Sequence, residues 1–543
     1  MSEKKTFDVF SNKFSQEIFL QKYSMNGTEA WSDAAQRVVT AVCGQLLDTK
    51  TKAKLQKFIT ERKFIPGGRY LYSAGRAFHQ VNNCFLFRVE DTRESWASLM
   101  ERTTSALMTG GGIGVDYSNI RAKGTPVKRT GGLCSGPISL MEMVNESGRH
   151  VMQGGQRRSA IWAGLNWSHK DINEFLKLKD YSPDLRALKA KDFNFRLPME
   201  GTNVSVIYDT DFFIAVENED HPKHAEAKKL WLDNCRQAFS TAEPGMSFNF
   251  RKDNESLRNA CCEVVSEDDS DKCNLGTVWI NRCSSKEEFA EVVKLSTLFL
   301  LCGGIYSDVP TDKIKEVGLK NNRIGLGLGG IHEWLMLRGY KYQCVTELHK
   351  WLTIYERESD SAAFIGAKQL NVAVPKGVRA IAPTGTIGII AETTTGIEPL
   401  FCKAYKRRYL KDDKWMYQYV VDGSVKRLIE QGVKLDTIQD SYDISFKDRV
   451  KFQADVQQYV DMSISSTCNV AAWGSETNNE ETLEKNANML LKYAKRLRGF
   501  TVYPDGCRDG QPLTRVPLDE AMASEGMVFE EREGECVGGV CGI

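Results

Sequence analysis

Along residues 1 to about 62, apolar side chains recur at helical spacing with lysines between them, as in AWSDAAQRVVTAVCGQLLDTKTKAKLQKFITERK. This pattern predicts a lead-in of short amphipathic helices. From IPGG (65–68) to about Pro512 the pattern changes. Short β-like runs, NVSVIYD (203–209), GVRAIAP (377–383) and GFTVYPD (499–505), alternate with longer helical stretches such as SWASLMERTTSALMTG, KDINEFLKLKD and EFAEVVKLSTLFLL. Such alternation predicts an α/β fold class. From about Leu513 the chain is polar and glycine-rich without an apolar face, so a mobile tail is expected. The expected organisation is a helical segment over 1–62, a large α/β body over 63–512 and a tail over 513–543.

At 543 residues the chain exceeds what one simple core supports, which agrees with a large body carrying appendages. Lys+Arg 72 against Asp+Glu 71 leaves a formal charge of +1, so no basic surplus points to a nucleic-acid polymer. The N-terminus MSEKKTFDVFSNKF lacks the apolar stretch of a signal peptide. The most apolar run, VVKLSTLFLLCGGI (292–305), is too short and interrupted to span a bilayer, and a soluble, cytoplasmic chain is expected. In that reducing compartment fifteen cysteines do not form a structural disulfide framework.

Four of those cysteines fall within NACCEVVSEDDSDKCNLGTVWINRC (259–283). A zinc cage is disfavoured by the C-C-x10-C-x9-C spacing, which holds no CxxC knuckle, and no metal site is expected. Burial as small hydrophobes is the competing explanation. Glu263 lies two residues after Cys261, and Asn259 two before it, so in an extended loop an amide, a thiol and a carboxylate share one face. Two glycine-rich signals also need weighing. Gly325-Leu-Gly327-Leu-Gly329-Gly330 satisfies GxGxxG but follows VGLKNNRI, which does not read as a buried strand, so a packing turn is expected rather than a dinucleotide fold. Pro383-Thr384-Gly385-Thr386 follows the strand-like VRAIA, and its glycine and two hydroxyls suit an anion, with an ordinary β-turn as the plainer alternative.

Asn259-Ala260-Cys261-Cys262-Glu263 resembles the N-P-C-G-E finger loop of ribonucleotide reductases, and Lys272-Cys273-Asn274-Leu275-Gly276 resembles the C-N-L-G segment that follows it. Further matches occur in family order: PGGRYLYSAG…NNCFLF (66–87), TGGGIGVDYSNIRAKG (109–124), GGQRRSA (154–160), IAPTGTIGIIAETTTGIEPLF (381–401) and GFTVYPDGCRDGQPL (499–513). The resemblance covers roughly residues 60 to 515 and implies a ten-stranded α/β barrel with 259–263 on a loop through its centre. Ala260 and Cys262 depart from the family pattern, which usually has proline and glycine there, and Cys262 receives no role.

The resemblance also implies the chemistry. Cys261 is the expected thiyl radical, Glu263 the base on the 3′-hydroxyl, and Asn259 the holder of the sugar hydroxyls; Cys84 and Cys273 supply a proton and two reducing equivalents and end as a disulfide. The Pro383–Thr386 turn is assigned to the substrate phosphates. Asp91 and Arg121 are expected to hold a deoxynucleotide or ATP effector at a homodimer interface, with Arg157 and Arg158 in the loop that relays effector identity. Relatives that depend on a separate metal-radical subunit carry a tyrosine pair where this chain has Phe500-Thr501-Val502-Tyr503. The form T-V-Y-x-D-G-x-R-x-G-Q-P-L, with DMSISSTCN (461–469), resembles the adenosylcobalamin-dependent class instead, and adenosylcobalamin is the expected cofactor. The N-terminal segment is too short for an extra nucleotide-binding cone, so no on/off control by ATP and dATP is expected. Cys536 and Cys541 in the tail are placed to carry electrons from a thioredoxin- or glutaredoxin-like reductant to the buried pair.

Overall fold

The computed structural model describes residues 9–128, 131–151, 159–192, 195–249, 255–411, 414–507 and 513–530. Six strands come first: β1 (Phe64–Pro66), β2 (Cys84–Arg88), β3 (Gly112–Asp116), β4 (Ile161–Asn166), β5 (Thr202–Asp209) and β6 (Gly245–Asn249). A tight hairpin of β7 (Leu257–Arg258) and β8 (Val265–Ser266) follows, then β9 (Asp271–Trp279) and β10 (Ile324–Gly329). The remaining strands are β11 (Ala404–Lys411), β12 (Lys414–Val421), β13 (Thr467–Val470), β14 (Gly499–Pro504), β15 (Leu513–Arg515) and β16 (Val528–Glu530).

Ten of these strands form one sheet in the order β1-β9-β2-β3-β4-β5-β6-β14-β13, with β10 also on β9. Strands β2 to β6 are mutually parallel, and β9 and β14 flank them antiparallel. Helices such as Arg93–Met108 and Gly136–His150 fill the parallel crossovers, as a buried parallel sheet requires. All nine residues of β9 are buried, which explains why it reads as an unbroken run rather than an alternating one. Past β10 the pairing continues irregularly. Ala380 donates its backbone N–H to Leu326 (3.1 Å), and Ile381 donates to Ser463 (3.2 Å). The strand-like 377–383 run is therefore present only as isolated bridges, Leu326↔Arg379 and Ile381↔Ile464.

Three helices, Lys13–Lys22, Trp31–Cys43 and Thr49–Thr60, make up the N-terminal segment, and their apolar stripes join the same core as Val278, Trp279 and Leu300. The helix Lys286–Tyr306, which extends the 292–305 run at both ends, is long and apolar enough by length and composition to cross a membrane. Its Phe289, Val292, Val293, Leu300 and Leu301 are fully buried in that core, which accounts for the apolar composition.

Two expectations need correction. The GxGxxG run is no turn: Ile324–Gly329 is the buried strand β10, parallel to β9 from Asn274 to Trp279. Its glycines are steric, since a Cβ on Gly325 would lie 2.3 Å from Leu275 and one on Gly329 would lie 2.4 Å from Trp279. The stretch 513–530 is likewise ordered rather than mobile. β15 pairs with β11 and β16 with β12 in a four-stranded sheet, and Val516 and Ala521 pack against Leu400, Val425 and Leu428. The sequence shows no stripe there because only a few small apolar residues are needed to dock a short helix and two three-residue strands.

Candidate active site

The hairpin β7–β8 carries residues 259–264 across one face of the large sheet, against Gly112 and Gly114 of β3. Asn259 closes the turn: its side-chain oxygen accepts from the Val264 N–H at 2.9 Å, while the Cys262 N–H donates to its carbonyl at 3.0 Å. Glycine in β3 makes the approach possible, because a Cβ on Gly114 would sit 1.8 Å from the Arg258 carbonyl oxygen. Asn203 on β5 donates to the Ala260 carbonyl at 3.2 Å, and the Ser463 N–H donates to that of Glu263 at 2.9 Å. The loop is thus gripped from three sides.

The turn is not the extended segment expected from the spacing. Cys262 is left-handed at φ 66°, a conformation that favours glycine, and this is the position where the resembled loop has glycine. The consequence is still a division of the two thiols. Cys261 is exposed and lines a cavity of about 460 Å³, whereas Cys262 turns back toward Ser205 and Arg258, where burial pushes its thiol up to about 12.

That cavity gathers most of the expected site. Cys84, Asn259, Cys261, Glu263 and the turn Pro383–Thr386 all line it. Asn259 Nδ2 donates to Cys84 Sγ at 2.8 Å. Cys84 faces Cys273 directly across the antiparallel β2–β9 ladder, and such cross-strand pairs place their Cα atoms roughly 4.5–5.5 Å apart, within disulfide range. Burial, reinforced for Cys84 by the nearby Glu263 and for Cys273 by Asp271, holds both groups as neutral S–H donors. Glu263 is 2% exposed, and burial raises its carboxyl to about 7 against the pull of the Asn259 hydrogen bond. Among the buried polar atoms of the lining, Glu263 Oε2 and Thr384 Oγ1 have no hydrogen-bond partner among the described residues. Buried polar groups are rarely left so, and both point to a ligand.

Thr384 is left-handed at φ 51° and caps the short helix Gly385–Ala391, and nothing lies within 4 Å of a Cβ placed on Gly385. Asp91 and Arg121 form an ion pair with each other away from this cavity. Arg157, Arg158, Cys536 and Cys541 lie outside the described residues. Sequence reasoning missed Tyr23, Gly67, Gly68 and Asn83, which complete the lining, and Asn203, which holds the loop. Gly67, Gly68 and Asn83 fall within the 66–87 segment already singled out by resemblance.

The site thus sets a thiol, a carboxyl and an amide from one loop against a turn and a large sheet in a protein of the α/β class. Residues 82–349 and 376–503 match the family described as ribonucleotide reductase, barrel domain, and the chain belongs to that family. It is 26% identical to the vitamin B12-dependent ribonucleoside-diphosphate reductase of Thermoplasma acidophilum, over 88% of this chain and 68% of that protein. The protein of the same name from Mycobacterium tuberculosis is 26% identical over 94% of this chain and 80% of its own length. The ribonucleoside-diphosphate reductase large subunit of Caenorhabditis elegans is 22% identical over 86% and 73%.

Proposed function

We propose that this chain reduces ribonucleotides, diphosphates in the first instance, to 2′-deoxyribonucleotides for DNA synthesis by a thiyl-radical mechanism. The observation that carries this reading is the meeting of Cys84, Asn259, Cys261, Glu263 and Thr384 on one cavity, with Cys273 in register behind Cys84. A cavity of about 460 Å³ falls in the usual range for a small-molecule site.

In the proposed reaction Cys261, as thiyl, takes the 3′ hydrogen of the ribose. The Glu263 carboxylate accepts the 3′-hydroxyl proton, which eases departure of the 2′-oxygen as water, its proton coming from the Cys84–Cys273 pair. The two thiols then deliver two electrons, with their second proton going to C2′, and become a disulfide; Glu263 returns its proton to the 3′ oxygen and Cys261 its hydrogen to C3′. The balance is one ribonucleotide and two thiols giving one deoxyribonucleotide, one water and one disulfide. Asn259 orients both Cys84 and the sugar hydroxyls, and the orphaned Thr384 hydroxyl with Thr386 and the Gly385 backbone receives the phosphates.

Adenosylcobalamin, when bound, supplies the radical equivalent that converts the Cys261 thiol to a thiyl. The residues present fit it. Cys261 opens onto the cavity, and a second cavity of about 350 Å³, lined by Thr393–Thr395, Thr467 and Asn469, meets the first at Pro383. Its hydroxyls and amide suit a nucleoside, and we assign Thr395, Thr467 and Asn469 to hold the adenosyl group. The ten strands are read as a barrel with 259–263 as its central finger; the hydrogen bonds passing from β10 through 377–381 to 462–465 support closure. Regulation by a deoxynucleotide at Asp91 and Arg121 in a homodimer, re-reduction through Cys536 and Cys541 by a thioredoxin-like protein, and a cytoplasmic location complete the proposal.

The test is reduction of CDP and CTP with dithiothreitol, with and without adenosylcobalamin. Deoxycytidine products only with the cofactor, and without any second subunit, are expected. Activity restored only by a metal-radical partner subunit would overturn the cofactor assignment.

A further inference from the structure

The far end of the Thr384 helix is held mainly by residues that lie outside the matched span, Ser11, Asn12, Ser15 and Arg62. Glu392, left-handed at φ 54° and 7% exposed, directly follows Gly385–Ala391. Its carboxylate accepts from the Ser11 N–H at 2.9 and 3.1 Å, the Ser11 hydroxyl at 2.7 Å, and the Asn12 N–H and Nδ2 each at 3.1 Å. Arg62 Nη1 adds an ion pair at 2.9 Å and also donates to the Ile390 carbonyl at 3.0 Å. Ser15 Oγ donates to the Ile389 carbonyl at 2.8 Å, and Arg282 donates to that of Ala391. Every one of the last three carbonyls of this helix is therefore capped from another segment.

The same N-terminal helix reaches the cavity itself. Tyr23, at the C-cap of Lys13–Lys22, is 3% exposed and lines the cavity together with Thr384. Gly68 makes room for it: a Cβ there would lie 2.8 Å from the Tyr23 phenolic oxygen.

We propose that residues 11–23 are part of the nucleotide site: the grip of Ser11, Asn12 and Arg62 on Glu392 positions the Thr384–Thr386 turn for the substrate phosphates, and Tyr23 forms part of the same cavity's wall. Glu392 is a positioning residue and touches no substrate. A seven-residue helix cannot fix its own direction, because it is held by few internal hydrogen bonds. A charge-assisted carboxylate clamp at one end sets where the other end aims. The inference rests on the phosphate assignment above, and the test separates the two.

Two variants serve, Glu392→Gln and the pair Ser11→Ala with Asn12→Ala, so that misfolding of one leaves the other informative. Hydrogen exchange of ligand-free protein should show faster exchange confined to 385–391. Binding of a ribonucleoside diphosphate should weaken about tenfold, with KM rising alike, kcat within about twofold, and binding of the phosphate-free ribonucleoside unchanged. Unaltered exchange over 385–391 in both variants would refute the latch. Equal weakening for nucleoside and diphosphate would refute its role in aiming the phosphate turn. Wild-type protein that binds the nucleoside but gains nothing from the diphosphate would overturn the phosphate assignment instead, leaving the exchange result to judge the latch.

Discussion

Replacing Glu263 by glutamine tests the site most directly, because the structure states how costly its charge is. Moving a buried carboxyl from 4.5 to about 7 corresponds to about 3 kcal/mol of penalty on the ionised form, at roughly 1.4 kcal/mol per pKa unit. The sign follows from the folded value lying above the unfolded one: the native state binds the proton more tightly. The penalty is absent below about 4.5, grows as pH rises, and is complete above about 7. Glu263→Gln should therefore match wild type in stability near pH 4.5 and exceed it by up to about 3 kcal/mol at pH 8. Urea unfolding of ligand-free protein at the two pH values measures this. The same residue must be ionised to act as a base, so kcat/KM of wild type should fall on the acid side of about pH 7, to about a tenth of its plateau one pH unit lower. The glutamine variant should lose that limb and run roughly 10²–10⁴-fold slower. A variant no more stable than wild type at pH 8, or an acid limb near 4.5, would show that Glu263 is neither desolvated nor the base.

Cys261→Ser should abolish turnover while leaving nucleotide affinity intact, by equilibrium dialysis, because only hydrogen abstraction is removed. Gly114→Ala should destabilise by about 3 kcal/mol and lower activity, since its Cβ would stand 1.8 Å from the Arg258 carbonyl oxygen and the loop must lift; unchanged thermal unfolding would count against the close packing. At Cys262 (φ 66°), glycine should be tolerated within about 1 kcal/mol, whereas valine should cost about 2 kcal/mol more than glycine, read from urea midpoints. Cys536→Ser with Cys541→Ser should give about one product per site from pre-reduced enzyme and no thioredoxin-driven turnover, with dithiothreitol restoring part of it; full thioredoxin-driven turnover would place the shuttle elsewhere.

Several of the residues that meet on the cavity stood out from residue types at short range. Cys261 and Glu263 stand two apart with Asn259 before them, so a thiol, a carboxylate and an amide are visible within one five-residue stretch. The α/β class was legible too, since a periodicity of two or of 3.6 is a local property of each segment. The meaning of the glycines in 324–330 was not. A strand rich in glycine looks like a turn until the neighbouring β9 supplies Leu275 and Trp279 to fill the missing side chains. Docking of 513–530 was hidden for the same reason, its apolar partners Leu400 and Leu428 lying some hundred positions earlier.

What the sequence determined alone is the inventory: a loop holding a thiol and a carboxylate, two further cysteines, a glycine–threonine turn, and alternating elements to carry them. What the tertiary structure decided is which of these meet. The register of β2 on β9 sets Cys84 opposite Cys273, although 189 positions separate them, and a shift of one residue would turn either thiol to the other face of the sheet. The raised carboxyl of Glu263, the split orientation of Cys261 and Cys262, and the grip of Ser11 and Asn12 on Glu392 arise only when distant segments exclude water from one another. Desolvation and register belong to the packed assembly of segments, and no single stretch of chain encodes them.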